Sequence, residues 1–385
     1  MMGLPRQRRQ FILASLIAPA AFLSCSHPAP APTLVPAPAA ADVEATLFLI
    51  GDAGEPAEDD QVLAALRREA SAAVNATIVF LGDNLYDYGL PDTTDPDRPI
   101  YEQRLRWQMA AGLTGGVPTY FIPGNHDWEN GRATGWAAIR RQEAFIAAEG
   151  RDVVTMVPGG GCPGPVVLEV AGGFRLIALD SQWWLQSDPK PTSECRPGTE
   201  QEVVDSLARA LDVPAGTDAV VVLHHPLKSH GPHGGHFTVA DHIFPLHNLV
   251  SWLYLPLPII GSLYPIARMN GISDQDLSGA RNQHMRRRLG EALASRTPLA
   301  VASGHEHTLQ VLGDSTLPTH LVSGSGYDGH VERVAWGDDT RFAASIAGFM
   351  RLDRLADGRV RLAVLRPSGT GVEELHSEWL PEPAR

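Results

Sequence analysis

The chain has 385 residues, 44% hydrophobic and 19% charged, values of a globular protein that allow one large α/β domain or two ordinary ones. A formal net charge of −13 excludes long-range attraction to a nucleic-acid backbone unless a local patch reverses the sign. Any anionic substrate would have to be held by bound cations instead.

The first 25 residues read as an export signal, with Arg6, Arg8 and Arg9 ahead of an apolar stretch from Phe11 to Leu23 that is short for a membrane span. Arg8-Arg9-Gln10-Phe11-Ile12 resembles the twin-arginine signal, and Phe22-Leu23-Ser24-Cys25 a degenerate lipobox that would put a lipid on Cys25; the competing reading is a cleavable signal with an incidental Cys. The expected location is periplasmic, or anchored outside the cytoplasmic membrane or at the outer membrane. Residues 26–42 form a Pro/Ala linker. Beyond it only Cys162 and Cys195 remain, and export makes a disulfide between them available.

Short apolar runs at 46–50 and 77–81 each end at Gly-Asp, with an Ala- and Leu-rich stretch between them, a βαβ pattern of buried strands. The same grammar continues at 119–122, 174–179, 219–223 and 298–302. Helices are predicted over 58–74, 101–113, 135–148, 199–211 and 280–295, with late hairpin-like strands near 319–323, 348–353 and 360–365 and a turn at Asp357-Gly358. The expected fold is α/β: two packed mixed β-sheets flanked by helices, in one domain over 43–375 with a tail at 376–385. An apolar stretch at 243–270 interrupts the pattern; Pro256, Pro258 and Pro265 disfavour a straight helix, and it reads first as a buried insertion, second as a surface for lipid or an apolar substrate.

The chemistry sits just past the strand ends, in Gly51-Asp52-Ala53-Gly54, Gly82-Asp83-Asn84-Leu85-Tyr86, Gly124-Asn125-His126-Asp127, His224-His225-Pro226 and Gly304-His305-Glu306-His307. Open α/β sheets build their sites outside the carboxyl ends of strands. Singly these runs are weak signals, since Gly-Asp is usually a turn and a lone Tyr usually packs. Jointly they read as a two-metal hydrolase, because carboxylates and an amide oxygen suit hard cations, imidazoles suit zinc or iron, and Tyr suits ferric iron. Asp83 is the candidate bridge. Tyr86 can fill the position that Gly54 leaves without a ligand. His126 faces the substrate, with Asp127 orienting its ring. His224 rather than His225 is the expected ligand, and His305 and His307, two apart, serve neighbouring ions.

The five motifs, in this order over most of 46–326, resemble the calcineurin-like metallophosphoesterases and within them the purple acid phosphatase branch, with Val322-Ser323-Gly324-Ser325-Gly326 similar to the segment after that family's last His pair. The resemblance implies an α/β/β/α sandwich holding two metal ions, Fe(III) plus Fe(II), Zn(II) or Mn(II). Asp52, Tyr86 and His307 would hold the ferric ion, Asn125, His224 and His305 the divalent one, with Asp83 bridging. His126 would be the substrate-facing acid, and His230 the second substrate His, with His233 and His236 as rivals. The implied activity is hydrolysis of a small phosphorylated substrate by hydroxide generated on the metals, chiefly of phosphomonoesters. The alternatives are a phosphodiesterase for glycerophosphodiesters, nucleotides or lipid headgroups, and a surface-anchored binding protein without turnover.

Overall fold

The computed structural model describes residues 31–187, 189–248, 253–257 and 259–382. The export signal, Cys25 and part of the apolar stretch lie outside the described residues.

In chain order the strands are β1 (Val43–Ile50), β2 (Ala76–Phe80), β3 (Thr119–Phe121), β4 (Val154–Met156), β5 (Val166–Val170), β6 (Phe174–Ala178) and β7 (Asp218–Val222). They continue with β8 (Ala300–Ser303), β9 (Leu309–Leu312), β10 (His320–Ser323), β11 (Thr340–Ala344), β12 (Phe349–Leu355), β13 (Val360–Ser368) and β14 (Gly371–Trp379). The helices are α1 (Gln61–Ala72), α2 (Arg98–Leu113), α3 (Gly135–Glu149), α4 (Gln182–Leu185), α5 (Glu200–Ala210), α6 (Val239–Ile243), α7 (Leu263–Met269) and α8 (Ala280–Ser295). Two mixed sheets result, in the orders β14-β13-β12-β1-β2-β3-β4 and β11-β9-β10-β8-β7-β6-β5.

The layering follows from strand periodicity. Successive side chains of a strand point to opposite faces, so a strand buried on both faces must be apolar throughout. In β1, Phe48 and Ile50 face a core shared with Leu66 of α1, Met109 of α2 and Ile139 of α3. Leu47 and Leu49 of the same strand face Leu176, Val220 and Val222 of the other sheet. That second sheet turns Ile177, Val221 and Val301 outward onto Val203 and Leu207 of α5 and Leu289 of α8. Three cores in series therefore make four layers, α/β/β/α, as expected. Capping fixes one helix start locally: Thr199 accepts from Glu202 N while the Glu202 side chain accepts from Thr199 N, a capping box that opens α5.

Three expectations change. The tail expected from 376 is instead the end of β14, which pairs with β13 and buries His376 and Ser377. The linker is not detached throughout, since Ser377 N donates to Thr33 O and Arg361 to Val35 O, which docks residues 33–35 on the sheet edge. The stretch around 243–270 is not buried as a whole: Gly261 and Pro265 are buried, while Leu255, Ile259, Ile260 and Leu263 stand exposed. Among the described residues no helix is long and apolar enough to cross a membrane.

Cys162 and Cys195 are joined in a disulfide across a sequence separation of 33. A Cys162→Ser/Cys195→Ser double variant should lose about 3 kcal/mol of unfolding free energy in urea titrations. An unchanged midpoint and slope would show that the crosslink contributes nothing.

Candidate metal centre

The five candidate loops leave the carboxyl ends of β1, β2, β3, β7 and β8, which run parallel within their sheets, so the loops open at one end of the sandwich. The loops are locked to one another by main-chain bonds: Gly51 N donates to Ser323 O, Asp52 N to Gly82 O and Gly304 N to His224 O. Glycine is required where they touch. Gly82 has φ +93° and a Cβ there would lie 2.4 Å from His224 Nδ1; a Cβ on Gly124 would lie 2.2 Å from Asp83 Oδ1. Asp52, Asp83 and His305 are held at positive φ (57°, 50° and 69°), a strained conformation for non-glycine residues that persists where surrounding structure enforces it.

Two groups of donor atoms form around one carboxylate. In the first, the Tyr86 hydroxyl lies 2.9 Å from Asp52 Oδ1, 3.2 Å from His307 Nε2 and 3.4 Å from Asp83 Oδ2. In the second, Asn125 Oδ1 lies 2.9 Å from His224 Nε2 and 3.0 Å from His305 Nδ1, and Asp83 Oδ1 is 3.3 Å from His224 Nε2. Asp83 thus offers one oxygen to each group. The inward atoms are set from behind: Asn125 Nδ2 donates to Asn130, His224 Nδ1 meets Leu81 O at 2.8 Å, and His305 Nε2 meets Gln275 O at 2.9 Å. His225 has both ring nitrogens engaged, by Ser181 Oγ and Gln275 Oε1, but its ring lies 4.4 Å from that of His305 and it forms one group of candidate ligands with His224 and His305, so both His224 and His225 stand beside the second donor group.

The electrostatics call for positive charge. Burial pushes the Asp83 carboxyl up, yet His224 and His126 beside it hold it below the usual range. Burial opposes protonation of His224 and His307; Asp83 overrides it at His224, Glu332 and Asp52 override it at His307, and each imidazole is pushed up to about 9. Burial, with Asp52 and Asp83 adding to it, drives the Tyr86 phenol upward. His305 goes the other way, its imidazole kept neutral by burial and by His233, His225 and His224; the neutral form is the one that can bind a cation. The chemistry of the donors fits two cations: an oxygen-rich group with a phenol, and an imidazole-rich group with an amide oxygen.

Two expected roles do not survive the geometry. Asp127 does not accept from the His126 ring; its carboxylate accepts from Asn84 N, Gly124 N and Gln142 Nε2, pinning the loops together. The His126 ring instead places Nδ1 2.6 Å from Asp87 O and Nε2 3.9 Å from Asp83 Oδ2. His230 is drawn off by Asp339, 2.5 Å from its Nε2, and by His236, 3.2 Å from its Nδ1. Its rival His233 lies against the centre, with its ring centroid 4.1 Å from that of His305 and Nδ1 held by Asp276 at 2.9 Å. His330 and Glu332 carried no motif, yet the His330 ring packs 4.4 Å from His307 and 4.9 Å from Tyr86, and Glu332 lies 3.7 Å from His307 Nδ1.

Residues 21–309 match the calcineurin-like phosphoesterase family, and the chain belongs to it. No curated protein matches the chain. Among solved structures it is similar to GAP50, described as the anchor in the inner membrane complex of Plasmodium, at 17% identity and TM-score 0.51, over 88% of this chain and 89% of that one. It is also similar to purple acid phosphatase PPD1 from yellow lupin seeds, at 14% identity and TM-score 0.52, over 88% of this chain and 54% of that one. These two likenesses agree with the four-layer fold.

Beneath the Asn125–Asp127 loop, Asp180 accepts from Trp128 Nε1 and Trp183 N, and burial pushes its carboxyl from 3.8 up to about 7. The folded state then holds a proton that the unfolded chain has released, so this group's contribution is full below 3.8 and is lost as pH rises through about 7. In urea unfolding with chelator present, the stability of wild type relative to Asp180→Asn should fall across that window. Parallel pH curves would contradict the assignment.

Proposed function

We propose that this protein is a metal-dependent phosphoesterase of acid-phosphatase type, acting chiefly on phosphomonoesters. The observation that carries the reading is the shared Asp83 carboxylate, one oxygen on each donor group, with His126 over it and His233 beside His305. Asp52, Tyr86 and His307 would hold a ferric ion, and Asn125, His224 and His305 an Fe(II), Zn(II) or Mn(II) ion. Two cations bound there would polarise the phosphoryl oxygens and acidify water for in-line displacement.

The remaining steps belong to the chain. Asp83 fixes the spacing between the two groups. His126, anchored through Nδ1 to Asp87 O, presents Nε2 above Asp83, where as imidazolium it donates to a phosphoryl oxygen and then to the leaving oxygen. His233, anchored through Nδ1 by Asp276, replaces His230 as the second substrate imidazole. The complete donor set speaks against a binding protein without turnover. The Cys162–Cys195 disulfide supports an exported location.

Loaded with iron plus zinc or manganese, the protein should hydrolyse p-nitrophenyl phosphate faster than bis(p-nitrophenyl) phosphate. Diester preference would move the reading to a phosphodiesterase, and no turnover of either to a binding protein. His126→Ala should slow turnover by about 100-fold to 10,000-fold, the usual span for a general acid. Asn125→Ala should also reduce turnover greatly, and unchanged activity in that variant would remove the second donor group from the mechanism.

The iron-loaded protein should show a visible charge-transfer band that Tyr86→Phe abolishes. A band that survives the substitution would exclude Tyr86 as a ligand.

A further inference from the structure

The residue between His305 and His307 has no part in either donor group, yet it is a glutamate with no exposed surface. A buried carboxyl is costly unless its oxygens are satisfied, so its partners reveal what holds it there. The Glu306 carboxyl reaches into the loop 229–235. Its Oε2 accepts from Ser229 Oγ at 2.5 Å and from Gly234 N at 3.3 Å, and its Oε1 accepts from His233 N at 3.3 Å. Ser229 Oγ in turn accepts from Gly231 N at 3.0 Å and from Gln310 Nε2 at 3.1 Å. The loop wraps the carboxyl so closely that a Cβ on Gly231 would lie 2.2 Å from Glu306 Cδ.

His233 is fixed at three points as a result. Its N donates to Glu306, its carbonyl accepts from Leu277 N at 2.9 Å, and its ring Nδ1 meets Asp276 Oδ1 at 2.9 Å. Arg268 Nε donates to the other oxygen of Asp276 at 2.9 Å, which holds that carboxylate in turn. His230, three residues earlier, is anchored elsewhere: its N donates to Gln310 Oε1 and its ring goes to Asp339. One dipeptide, His305-Glu306, therefore does two things. It supplies the ring against which His233 rests, centroids 4.1 Å apart, and the carboxyl that holds the His233 main chain.

We propose that Glu306 is a positioning residue: it ties the loop of His305 and His307 to the loop of His233 and so holds the His233 imidazole where it meets a phosphoryl oxygen. The inference rests on the reading of His233 as the second substrate imidazole. Glu306, His233 and Glu332 also place donor atoms within 4.8 Å of one another, a spacing that a third cation could use. Both Glu306 oxygens, however, already accept from main-chain N–H groups and a hydroxyl, which suits a loop anchor better than a cation ligand.

The test uses the full chain loaded with iron and zinc, as wild type, His233→Ala, Glu306→Ala, the double variant and Glu306→Gln. The readouts are metal content, the Kd for inorganic phosphate by calorimetry, which needs no turnover, and kcat/KM for p-nitrophenyl phosphate. Glu306→Ala should weaken phosphate binding about 10-fold to 100-fold, the usual span for a partner just behind a metal site, with metal content unchanged. His233→Ala should weaken it at least as much. Added to His233→Ala, Glu306→Ala should cost less than about twofold more, because two residues that act through one contact do not add. Glu306→Gln, whose amide oxygen still accepts from the main chain, should recover most of the binding, and kcat/KM should follow the same pattern. Phosphate binding that ignores either alanine substitution, a full Glu306→Ala loss on top of His233→Ala, or a Gln variant as weak as the Ala variant overturns the inference. So does any ion lost from Glu306→Ala, which would make Glu306 part of a cation site. Should Glu306→Ala fail to fold, Gly231→Ala, whose added Cβ meets Glu306 Cδ, goes through the same comparison with His233→Ala and decides it. Phosphate binding that keeps the expected pattern without turnover of any phosphoester overturns the phosphoesterase reading alone, and a wild type that binds no phosphate overturns both.

Discussion

Two carboxylates, Asp52 and Asp83, are each only 1% exposed at the place where the strand ends of two sheets meet. Burying ionised carboxylates costs several kcal/mol each unless charge and hydrogen bonds compensate. Much of the site can be understood as that compensation. Backbone amides of His126 and His305 donate to the two carboxylates, and His224 and His307 gather positive charge beside them. The glycines at 82 and 124 exist to let these groups approach, and the positive φ angles of Asp52, Asp83 and His305 hold them there. A centre so arranged is strained and polar, and it is the three apolar cores in series that hold it in place.

The four-layer fold positions the centre by topology rather than by any single contact. Parallel strands deliver their loops to one end, and two sheets packed face to face bring five such loops within reach of one another. Asp52, Asp83 and Asn125 come from one sheet and His224, His305 and His307 from the other, so each donor group draws on both sheets. That dependence ties any metal site here to the integrity of the inter-sheet core. Arg354, which donates from β12 to Asp218 of β7 at 2.8 Å, is a polar version of the same tie.

Much of this was legible in the sequence, for a physical reason. A candidate ligand at a strand end announces itself by a local pattern, an apolar run broken by Gly and then by Asp, Asn or His, which four of the five loops carry, while in the fifth His224 follows the apolar run directly. The helices were readable because α1, α5 and α8 each bury one stripe. What escaped was whatever tertiary folding alone brings together. His330, Glu332, Gln275 and Asp276 reach the centre from segments with no periodicity of their own. His230 and His233 sit three apart in a Gly-rich loop, and only the pull of Asp339 on one and of Asp276 on the other separates their roles. Strand β14 was missed because Glu373 and Glu374 break its apolar alternation, their carboxylates instead meeting Arg366 and Arg361 of β13 across the hairpin. The apolar stretch around 243–270 reads as packing in the sequence because hydrophobicity alone does not say which face a segment turns to water.

The central claim is that one carboxylate organises two cation sites. Its most direct test is metal analysis of the protein after loading with iron and zinc and exhaustive dialysis, wild type beside Asp83→Asn. The account predicts two tightly held ions per chain in the wild type, one of them iron, and loss of both on removing the shared charge. A wild type that keeps one ion or none, or an Asp83→Asn protein that keeps two, would contradict it.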